Sequence, residues 1–468
     1  MTFARGWGAH QEAVSRLLES YAAIPAAGSV RLAKRTSNLF RPRSANEAPG
    51  LDVSGLDGVI EVDVVNRTAD VQGVCTYEHL VEATLPHGLI PLVVPQLRTI
   101  TLGGAVTGLG IEATSFRNGL PHESVIEMDI LTGAGEIVTA SMEQHDDLFR
   151  TFPNSYGSLG YATRLKIELE PVPAYVALRH VRFDDAAQLG KAVEAIVESG
   201  EWEGERIDGL DGVAFEPGEL YLTLAQWSDG GSEAPDAASS GGHPLVGDYT
   251  GQQIYYRSVQ ERETDLLTMH DYLWRWDTDW FWCSGAFGLH NPRIRRLWPR
   301  RWRRSDVYHK LVGIDRRFGI IDRIDRRRGL PARERVIQDV EVSIADLPAF
   351  LAWFDDNVGM RPVWLCPLRL RGERTWPTYP LEPGTTYVNA GFWGTVPVGD
   401  NADHAPTNRA IEAELRVLGG HKSLYSEAFY GREEFDRLYD GANLAGVKDR
   451  YDPDHRLTTL YDKAVRRH

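Results

Sequence analysis

Residues 95–125 have the sequence PQLRTITLGGAVTGLGIEATSFRNGLPHESV, and residues 147–161 have the sequence DLFRTFPNSYGSLGY. Both stretches are rich in glycine, which lets the backbone approach a bulky ligand closely and offer its amide groups as donors. Ordinary turn glycines explain either stretch alone, but they explain the ordered pair poorly. Alternating apolar residues at Thr163–Leu169 predict a strand directly after the second stretch. The order therefore predicts a unit that holds a bulky ligand against two glycine-rich segments.

This order resembles the FAD-binding domain of the vanillyl-alcohol-oxidase superfamily, also called the PCMH-type domain. The segment Lys34–Phe40 occupies the place of the short loop that holds the pyrophosphate of FAD in that family. Val59–Val64 and Thr68–Val74 are similar to the strands that follow the loop, and Tyr77–Thr84 is similar to the next helix. The resemblance implies that FAD contacts the loop and both glycine-rich stretches, through Thr36, Ser37, Asn38, Leu39, Leu102, Gly103, Gly104, Thr107, Gly108, Gly110, Ile111, Ser115, Gly119, Gly157, Ser158, Gly160 and Tyr161.

The resemblance also indicates how FAD is held. Several members of the superfamily attach the flavin covalently to a histidine in the first glycine-rich stretch. Ile111 stands at the matching position, and no cysteine lies nearby. FAD is therefore expected to be bound non-covalently.

The bulk properties of the chain are those of a soluble globular enzyme. Its 468 residues are enough for two domains with sizeable cores, and 42% of them are hydrophobic against 25% charged. The cysteines Cys75, Cys283 and Cys366 are far apart, which argues against a disulfide framework and against a metal site. The N-terminal sequence lacks the apolar core of a signal peptide, and no apolar run of about 18 residues occurs. A cytoplasmic location is expected.

Charge is distributed unevenly along the chain. The net charge is −15, yet residues 293–329 contain fourteen Lys or Arg against four Asp, with Trp298 and Trp302 among them. Two interpretations are open: a basic helical face that forms ion pairs within the protein, or a surface that binds the anionic inner face of the cell membrane. Nucleic-acid binding is disfavoured because the rest of the chain, at about −25, would repel a polyanion.

The pattern of elements predicts an α+β fold. Residues 1–30 are expected to form a helix and lead-in, 31–180 the two-part PCMH-type domain, 181–450 a cap and substrate domain, and 451–468 a tail that returns to the FAD-binding domain. The strands and helices of the cap are typical of an antiparallel sheet covered by helices on one face. Within the cap, the basic, Trp-rich segment 268–329 is predicted to be mostly helical.

Several stretches of the second half resemble the Δ24-sterol reductase branch of the superfamily (the seladin-type enzymes). They are Gln338–Val340, Pro362–Pro367 and residues 421–441, which have the sequence HKSLYSEAFYGREEFDRLYDG. The sterol enzymes begin with a membrane-spanning segment, and none is recognised here. In this respect the chain is more similar to actinobacterial flavoproteins that reduce 10-methylene fatty acyl chains of phospholipids to 10-methyl chains in tuberculostearic acid synthesis. That resemblance implies FAD and NADPH, a lipid or phospholipid substrate, and a SAM-dependent methyltransferase as a partner.

The chemistry of these two substrates is the same. A sterol Δ24 double bond and an exomethylene group are unactivated alkenes, and protonation of the less substituted carbon leaves a tertiary cation that hydride from reduced flavin can quench. The site should therefore place a strong, dry proton donor on one side of the alkene and the flavin on the other. Tyr425 and Glu427 are the leading candidates for the donor. Glu112 is a third candidate, because it follows Ile111, the position that matches the flavin-attaching histidine of other superfamily members. Core packing or an ordinary salt bridge explains the same residues.

Substrate contacts are predicted in two further places. His421 and Lys422 can bind a phosphate or carboxyl group, or can cap a helix. Residues 272–283 have the sequence YLWRWDTDWFWC, in which Trp280 and Trp282 are candidates for lining an acyl-chain channel. Core packing or contact with a bilayer interface explains this aromatic run equally well.

Two other functions stay open on the sequence alone. A sugar or alditol oxidase is common in the wider superfamily, although the aromatic and basic segments suit a polar sugar pocket poorly. A non-catalytic flavoprotein that accompanies a methyltransferase is the third possibility.

Overall fold

The first half of the chain folds around one antiparallel sheet. The computed structural model of the protein describes residues 5–34, 40–41, 50–230, 246–318, 329–399 and 402–466. In chain order the elements of the first unit are α1 (Gly6–Ala22), β1 (Val59–Asp63), β2 (Thr68–Gln72), α2 (Tyr77–Thr84), β3 (Leu89–Pro91), α3 (Leu102–Gly108), α4 (Ser115–Asn118), β4 (Val125–Leu131), β5 (Ile137–Ser141), α5 (Asp146–Thr151) and β6 (Tyr161–Pro171).

The long strand β6 organises this first sheet. The strand order is β1-β2-β6-β4-β5, and β3 pairs with β6 outside this path. Strand side chains alternate between the two faces of a sheet. On the inward face, Val71, Leu165 and Ile167 are fully buried against α2 and α3. The hydroxyl of Thr76 accepts from the amide of His79 and so caps α2 at its first turn. This packing fixes α3, with its glycines, above the sheet.

A larger antiparallel sheet and its helices form the second unit. In chain order its elements are β7 (Tyr175–Phe183), α6 (Ala186–Ser199), β8 (Glu201–Trp202), β9 (Glu205–Arg206), β10 (Gly209–Glu216), β11 (Glu219–Ser228), α7 (Tyr255–Glu261), β12 (Thr264–Thr268), α8 (Met269–Leu273), α9 (Pro292–Leu297), α10 (Ser305–Phe318), β13 (Arg333–Ser343), α11 (Leu347–Asn357), β14 (Val363–Leu368), β15 (Tyr387–Pro397), α12 (Pro406–Leu418), β16 (His421–Lys422), α13 (Arg432–Leu438) and α14 (Gly441–Tyr451).

The two faces of the second sheet differ in chemistry. Its strand order is β12-β7-β11-β10-β14-β15-β13-β16, and every pairing is antiparallel. Val336, Val340 and Val342 of β13 pack against α6, α11 and α12 on one face. The alternate residues of the same strand, which include Asp339 and Glu341, point to the opposite face. That face is turned toward the first unit.

The architecture confirms the predicted α+β fold with an antiparallel, one-side-covered cap sheet. Within its described part, the segment 268–329 is mostly helical as predicted, but α8 ends at Leu273 and the following aromatic run lies in turns. Trp280 and Phe281 both have a positive φ, of 47° and 61°. Non-glycine residues rarely adopt this region, so the turn is held by its surroundings rather than by local preference.

The end of the chain lies against the first unit. The amide of Val30 donates to the carbonyl of Arg456 at 2.8 Å. The ammonium of Lys463 donates to the carbonyl of Gly157 at 2.7 Å. Among the described residues, no helix has the length and apolar character needed to cross a bilayer.

Candidate active site

A cavity of about 760 Å³ lies between the two units. Its volume falls within the roughly 300–1,000 Å³ typical of cofactor and ligand sites. The first unit supplies backbone-rich walls from α3 and from the turn before β6, whereas the second unit supplies aromatic side chains and a carboxylic acid. The cavity therefore has two chemically different ends.

Glycines form the wall contributed by the first unit. Gly103, Gly104, Gly108, Gly110 and Gly157 all line the cavity. At Gly103 a Cβ atom would lie 2.6 Å from the carbonyl oxygen of Gly73, a backbone contact that cannot relax easily. A larger residue at Gly103 would therefore push α3 off the sheet and into the cavity.

Basic side chains lie beside this glycine wall. The ammonium of Lys34 donates to the Thr101 hydroxyl at 3.0 Å, and burial lowers the pKa of Lys34 to about 8. Lys463 and Arg31 also line the cavity. An anionic group bound here would favour the charged lysine and reverse that shift. Glycine walls with adjoining cations suit the diphosphate of a dinucleotide, so the residues present fit FAD.

The structure brings about half of the predicted FAD contacts to the cavity. Ile111, at the former tether position, is among those on the wall; the full set is Gly103, Gly104, Thr107, Gly108, Gly110, Ile111, Gly157 and Tyr161. As far as the described residues define the cavity, the remaining positions lie behind that wall; these are Leu102, Ser115, Gly119, Ser158 and Gly160. The predicted loop contacts Thr36, Ser37, Asn38 and Leu39 fall outside the described residues.

Aromatic side chains form the opposite wall. Trp280, Phe281, Trp364 and Trp393 line the cavity, and Phe40 stacks on Trp280 with ring centroids 5.8 Å apart. The strained turn at positions 280–281 aims its two rings into this wall. The predicted substrate residue Trp282 lies behind it, 5.6 Å from the Trp393 ring.

Buried ion pairs hold the aromatic turn in place. The guanidinium of Arg98 donates to Asp277 at 2.7 Å, and that of Arg295 donates to Asp279 at 2.6 Å. Both aspartates are buried. Two acidic residues on either side of Thr278 thus anchor the turn to separate parts of the protein.

One carboxylic acid faces the cavity from the aromatic side. Asp339 of β13 lines the cavity and keeps part of its surface accessible there. Burial raises the pKa of Asp339 to about 7, partly offset by hydrogen bonds from Asn389 and Tyr425. Tyr425 accepts in turn from the indole nitrogen of Trp393 at 2.9 Å. A Cβ atom at Gly391 would lie 2.5 Å from the Asp339 carboxylate, so a glycine is needed beside it.

Sequence reasoning did not assign a role to Asp339. In the sequence, Gln338–Val340 is marked only by its resemblance to the sterol reductase branch. The available signal is the strand pattern, because Asp339 and Glu341 share one face of a strand whose other face carries Val336, Val340 and Val342 at alternate positions around Gln338. Charged residues on a face that turns inward are rarely placed there for stability alone.

Of the three predicted proton donors, only Tyr425 reaches the cavity wall. Glu112 forms a buried ion pair with Arg275 at 2.7 Å instead, and burial raises the pKa of Glu112 against the effect of that arginine. Glu427 is half-buried, and its carbonyl accepts from Lys422 at 2.6 Å. Among the described lining residues, neither glutamate is present.

The predicted substrate residues His421 and Lys422 are also set back from the cavity. Lys422 is fully buried and forms an ion pair with Glu412 at 2.6 Å. The ring of His421 lies between Tyr379 and Tyr439, and burial lowers the pKa of His421 to about 3. Both residues therefore support the wall that carries Tyr425 rather than reach into the cavity.

Arg275 is expected to be a major source of stability. It bonds both Glu112 and Asp211, and the indole nitrogens of Trp276 and Trp364 also donate to Asp211. Arg275→Met leaves two buried carboxylates without their cation, so we expect the free energy of unfolding to fall by about 3–5 kcal/mol.

Urea unfolding followed by tryptophan fluorescence measures this loss. The matched control is Arg179→Met, which breaks an exposed pair with Glu203 and should cost about 0–1 kcal/mol. Equal losses of unfolding free energy in the two variants would contradict the expectation that Arg275 is a major source of stability.

The comparisons with known proteins agree with this geometry. A family model described as an FAD binding domain matches residues 19–141. The chain is 24% identical to the Delta(24)-sterol reductase of Rattus norvegicus over 86% of this chain and 75% of that protein. It is 23% identical to the Delta(24)-sterol reductase of Arabidopsis thaliana over 88% and 76% of the two chains.

A more distant kind of relative matches only part of the chain. Cytokinin dehydrogenase 2 of Oryza sativa subsp. japonica is 31% identical over 177 residues, which is 36% of this chain and 31% of that protein. Similarity to the sterol reductases, by contrast, extends into the second unit, which supplies the aromatic wall and Asp339.

Proposed function

We propose that this protein, an FAD-dependent oxidoreductase of the Δ24-sterol reductase-like branch of PCMH-type flavoproteins, uses NADPH to reduce an unactivated carbon–carbon double bond in a lipid. The proposed substrate is a 10-methylene fatty acyl chain of a phospholipid, and the product is the 10-methyl chain. The observation that carries the proposal is Asp339, an acid with a pKa of about 7 that lies at the aromatic end of the cavity.

An unactivated alkene needs a proton before it can accept hydride, because no carbonyl group takes up the developing charge. In this proposal Asp339 donates that proton to the terminal methylene carbon, and the positive charge develops at C10. FAD held against the glycine wall would supply, in its reduced form, the hydride that this cation needs at C10. The sum is one proton and one hydride added to the double bond, with NADPH oxidised to NADP⁺.

Tyr425 is proposed to position the acid. Its hydroxyl accepts from Trp393 and donates to Asp339, so a tryptophan, a tyrosine and an aspartic acid form one chain of hydrogen bonds. Burial raises the pKa of Tyr425 well above its usual value, which keeps the phenol protonated. The carboxyl group is thereby held toward the cavity in a fixed orientation.

The cavity wall favours an apolar substrate over a sugar. Four aromatic rings face the space around Asp339, and they offer few hydrogen-bond partners for several hydroxyl groups. A dry wall also keeps Asp339 protonated near neutral pH, because water cannot solvate its carboxylate. A carbohydrate oxidase would need polar groups at these positions.

A sterol side chain is the second candidate substrate. The similarity to proteins named Delta(24)-sterol reductase over most of both chains favours it. The same acid and the same direction of protonation serve a Δ24 double bond. For the 10-methylene substrate, a methyltransferase that adds the methylene carbon would have to act first, and we propose such an enzyme as a functional partner.

Product analysis separates these substrates. The FAD-loaded protein and NADPH would be incubated without oxygen with a 10-methylene-stearoyl phospholipid, with a Δ24 sterol, or with no alkene, and the lipids analysed by mass spectrometry. We expect the fatty acyl product to gain two hydrogen atoms. Reduction of the sterol alone would move the assignment to the second candidate. Oxygen-dependent sugar oxidation without alkene reduction would contradict the proposal.

The turnover rate is expected to fall as the pH rises through about 7. Asp339 must be protonated to act as the acid, and its pKa of about 7 means that it loses this proton above neutrality. Steady-state rates of alkene reduction, measured at pH values on both sides of neutrality, test this fall in turnover rate. Reduction of bound flavin by NADPH, followed separately, serves as the control because it needs no proton from Asp339. A flat pH profile for alkene reduction would contradict the role of Asp339.

A further inference from the structure

A cationic and apolar surface lies at residues 291–304. This segment contains seven arginines and no acidic residue, although the whole chain carries a net charge of −15. It spans α9 and the short turn of helix Arg300–Trp302. We call residues 291–304 the arginine surface.

The arginines of this surface fall into two groups. Arg295 and Arg303 are buried; Arg295 pairs with Asp279, and Arg303 donates to the carbonyl of Gly251. Arg304 pairs with Glu78. Internal ion pairing, one of the two interpretations of the sequence, therefore accounts for Arg295 and Arg304, and hydrogen bonds to backbone carbonyls account for Arg303.

The other arginines point outward. Arg293, Arg296, Arg300 and Arg301 are exposed. Arg300 forms an exposed pair with Asp248. Within the part of the chain that the structure describes, no carboxylate lies within salt-bridge distance of Arg293 or Arg296. Internal pairing does not explain why these two cations are there.

Large apolar side chains stand beside the outward arginines. Leu297 is 85% exposed, Trp302 is 47% exposed and Ile294 is 43% exposed. Ile294 and Leu297 are three residues apart on α9 and so share one side of the helix. Exposed leucine and tryptophan next to arginine is the composition of a surface that lies in the headgroup region of an anionic bilayer.

The arginine surface is fixed to the wall of the cavity. The Arg295–Asp279 pair joins it to the residue next to Trp280, and the Tyr308 ring of α10 stacks on Trp280 at 6.5 Å. His309 of the same helix lies 5.5 Å from the Phe40 ring, which also lines the cavity. The arginine surface therefore packs directly against the turn that forms the aromatic end of the cavity.

We propose that the arginine surface binds anionic phospholipid bilayers and brings the lipid chain to the aromatic end of the cavity. Charge complementarity selects the partner, because a protein of net charge −15 is attracted to an anionic lipid surface through a patch that is itself basic and apolar. The delivery of substrate rests on the proposed function, whereas the binding to lipid does not.

The binding test uses the full-length, FAD-loaded protein and vesicle flotation. Vesicles of phosphatidylcholine with phosphatidylglycerol are compared with vesicles of phosphatidylcholine alone. We expect binding to the anionic vesicles that weakens with salt. Arg293→Glu with Arg296→Glu should weaken it roughly thirtyfold or more, and Leu297→Ser with Trp302→Ser should weaken it without changing the net charge.

The matched control is Arg67→Glu with Arg437→Glu, which makes the same charge change at exposed positions elsewhere on the protein. Equal loss of binding in this control, or no binding of the unmodified protein to anionic vesicles, would overturn the proposal. Tighter arginine-dependent binding to a DNA duplex than to the vesicles would overturn it as well. FAD content, measured for every variant, shows that each one is folded.

The two proposals fail separately. Vesicle binding is measured without turnover, so a protein that binds anionic vesicles but reduces no alkene supports the arginine surface and contradicts the reductase. If both hold, the Arg293→Glu, Arg296→Glu variant should lose reduction of the vesicle-borne alkene and keep its rate of flavin reduction by NADPH.

Discussion

Asp339→Asn is expected to lower the rate of alkene reduction by about 10²–10⁴-fold, the usual contribution of a general acid. The amide keeps the size of the side chain and its place between Asn389 and Tyr425, but it has no acidic proton to give. FAD binding and the reduction of flavin by NADPH should remain near those of the unmodified protein. Stopped-flow absorbance separates flavin reduction from its reoxidation by the alkene.

A second buried acid provides the control. Glu341 lies on the same face of β13, where the hydroxyl of Ser423 donates to it at 3.1 Å, but it is not among the described residues that line the cavity. Glu341→Gln should therefore lower the rate by less than about tenfold. Tyr425→Phe should fall between the two, because it removes the positioning hydrogen bond and leaves the acid. Full activity in Asp339→Asn would show that the proton comes from elsewhere.

Gly104→Val is expected to weaken FAD binding by at least about a hundredfold, since it changes the cavity wall at the position of the predicted cofactor. A Cβ atom here would lie 2.7 Å from the Thr101 hydroxyl, which accepts from both Lys34 and the amide of Gly104. The substitution breaks this arrangement and adds methyl groups to the space that the cofactor needs. FAD content after purification and fluorescence titration of the apoprotein measure the loss.

The matched control for this variant is Gly446→Val. Gly446 lies in α14, is exposed, and has no atom within 4 Å of an added Cβ. The Gly446→Val substitution makes the same change in helix propensity as Gly104→Val but does not alter the cavity. Retained FAD binding in Gly104→Val would contradict the placement of the cofactor against α3.

The glycine-rich half of the site could be predicted because its signals are local. The helix at Tyr77–Thr84 begins and ends as predicted, since Thr76 caps it and the apolar spacing defines it. The glycines of α3 line the cavity because backbone segments cross there, a constraint that acts within a few residues. The resemblance to a known domain then indicated that the ligand of this glycine-rich pattern is FAD.

The acid and the aromatic turn could not be predicted in the same way. Asp339 meets Tyr425 and Trp393 only after β13, β15 and the segment following β16 come together, and no local pattern encodes that pairing. His421 and Lys422 were plausible ligands by type, yet the sheet places them behind the wall. The prediction that residues 268–329 are mostly helical did not foresee the turns at Trp274–Trp282, which ion pairs from Arg98 and Arg295 hold in place.

The measurement that tests the central claim most directly is anaerobic reoxidation of the NADPH-reduced protein by a lipid alkene. Vesicles that carry 10-methylene-stearoyl phospholipid would be added and the flavin absorbance followed. The proposed function predicts that the oxidised spectrum returns and that the acyl chain gains two hydrogen atoms. A flavin that stays reduced with this lipid and with a Δ24 sterol, but is oxidised by oxygen, would contradict it.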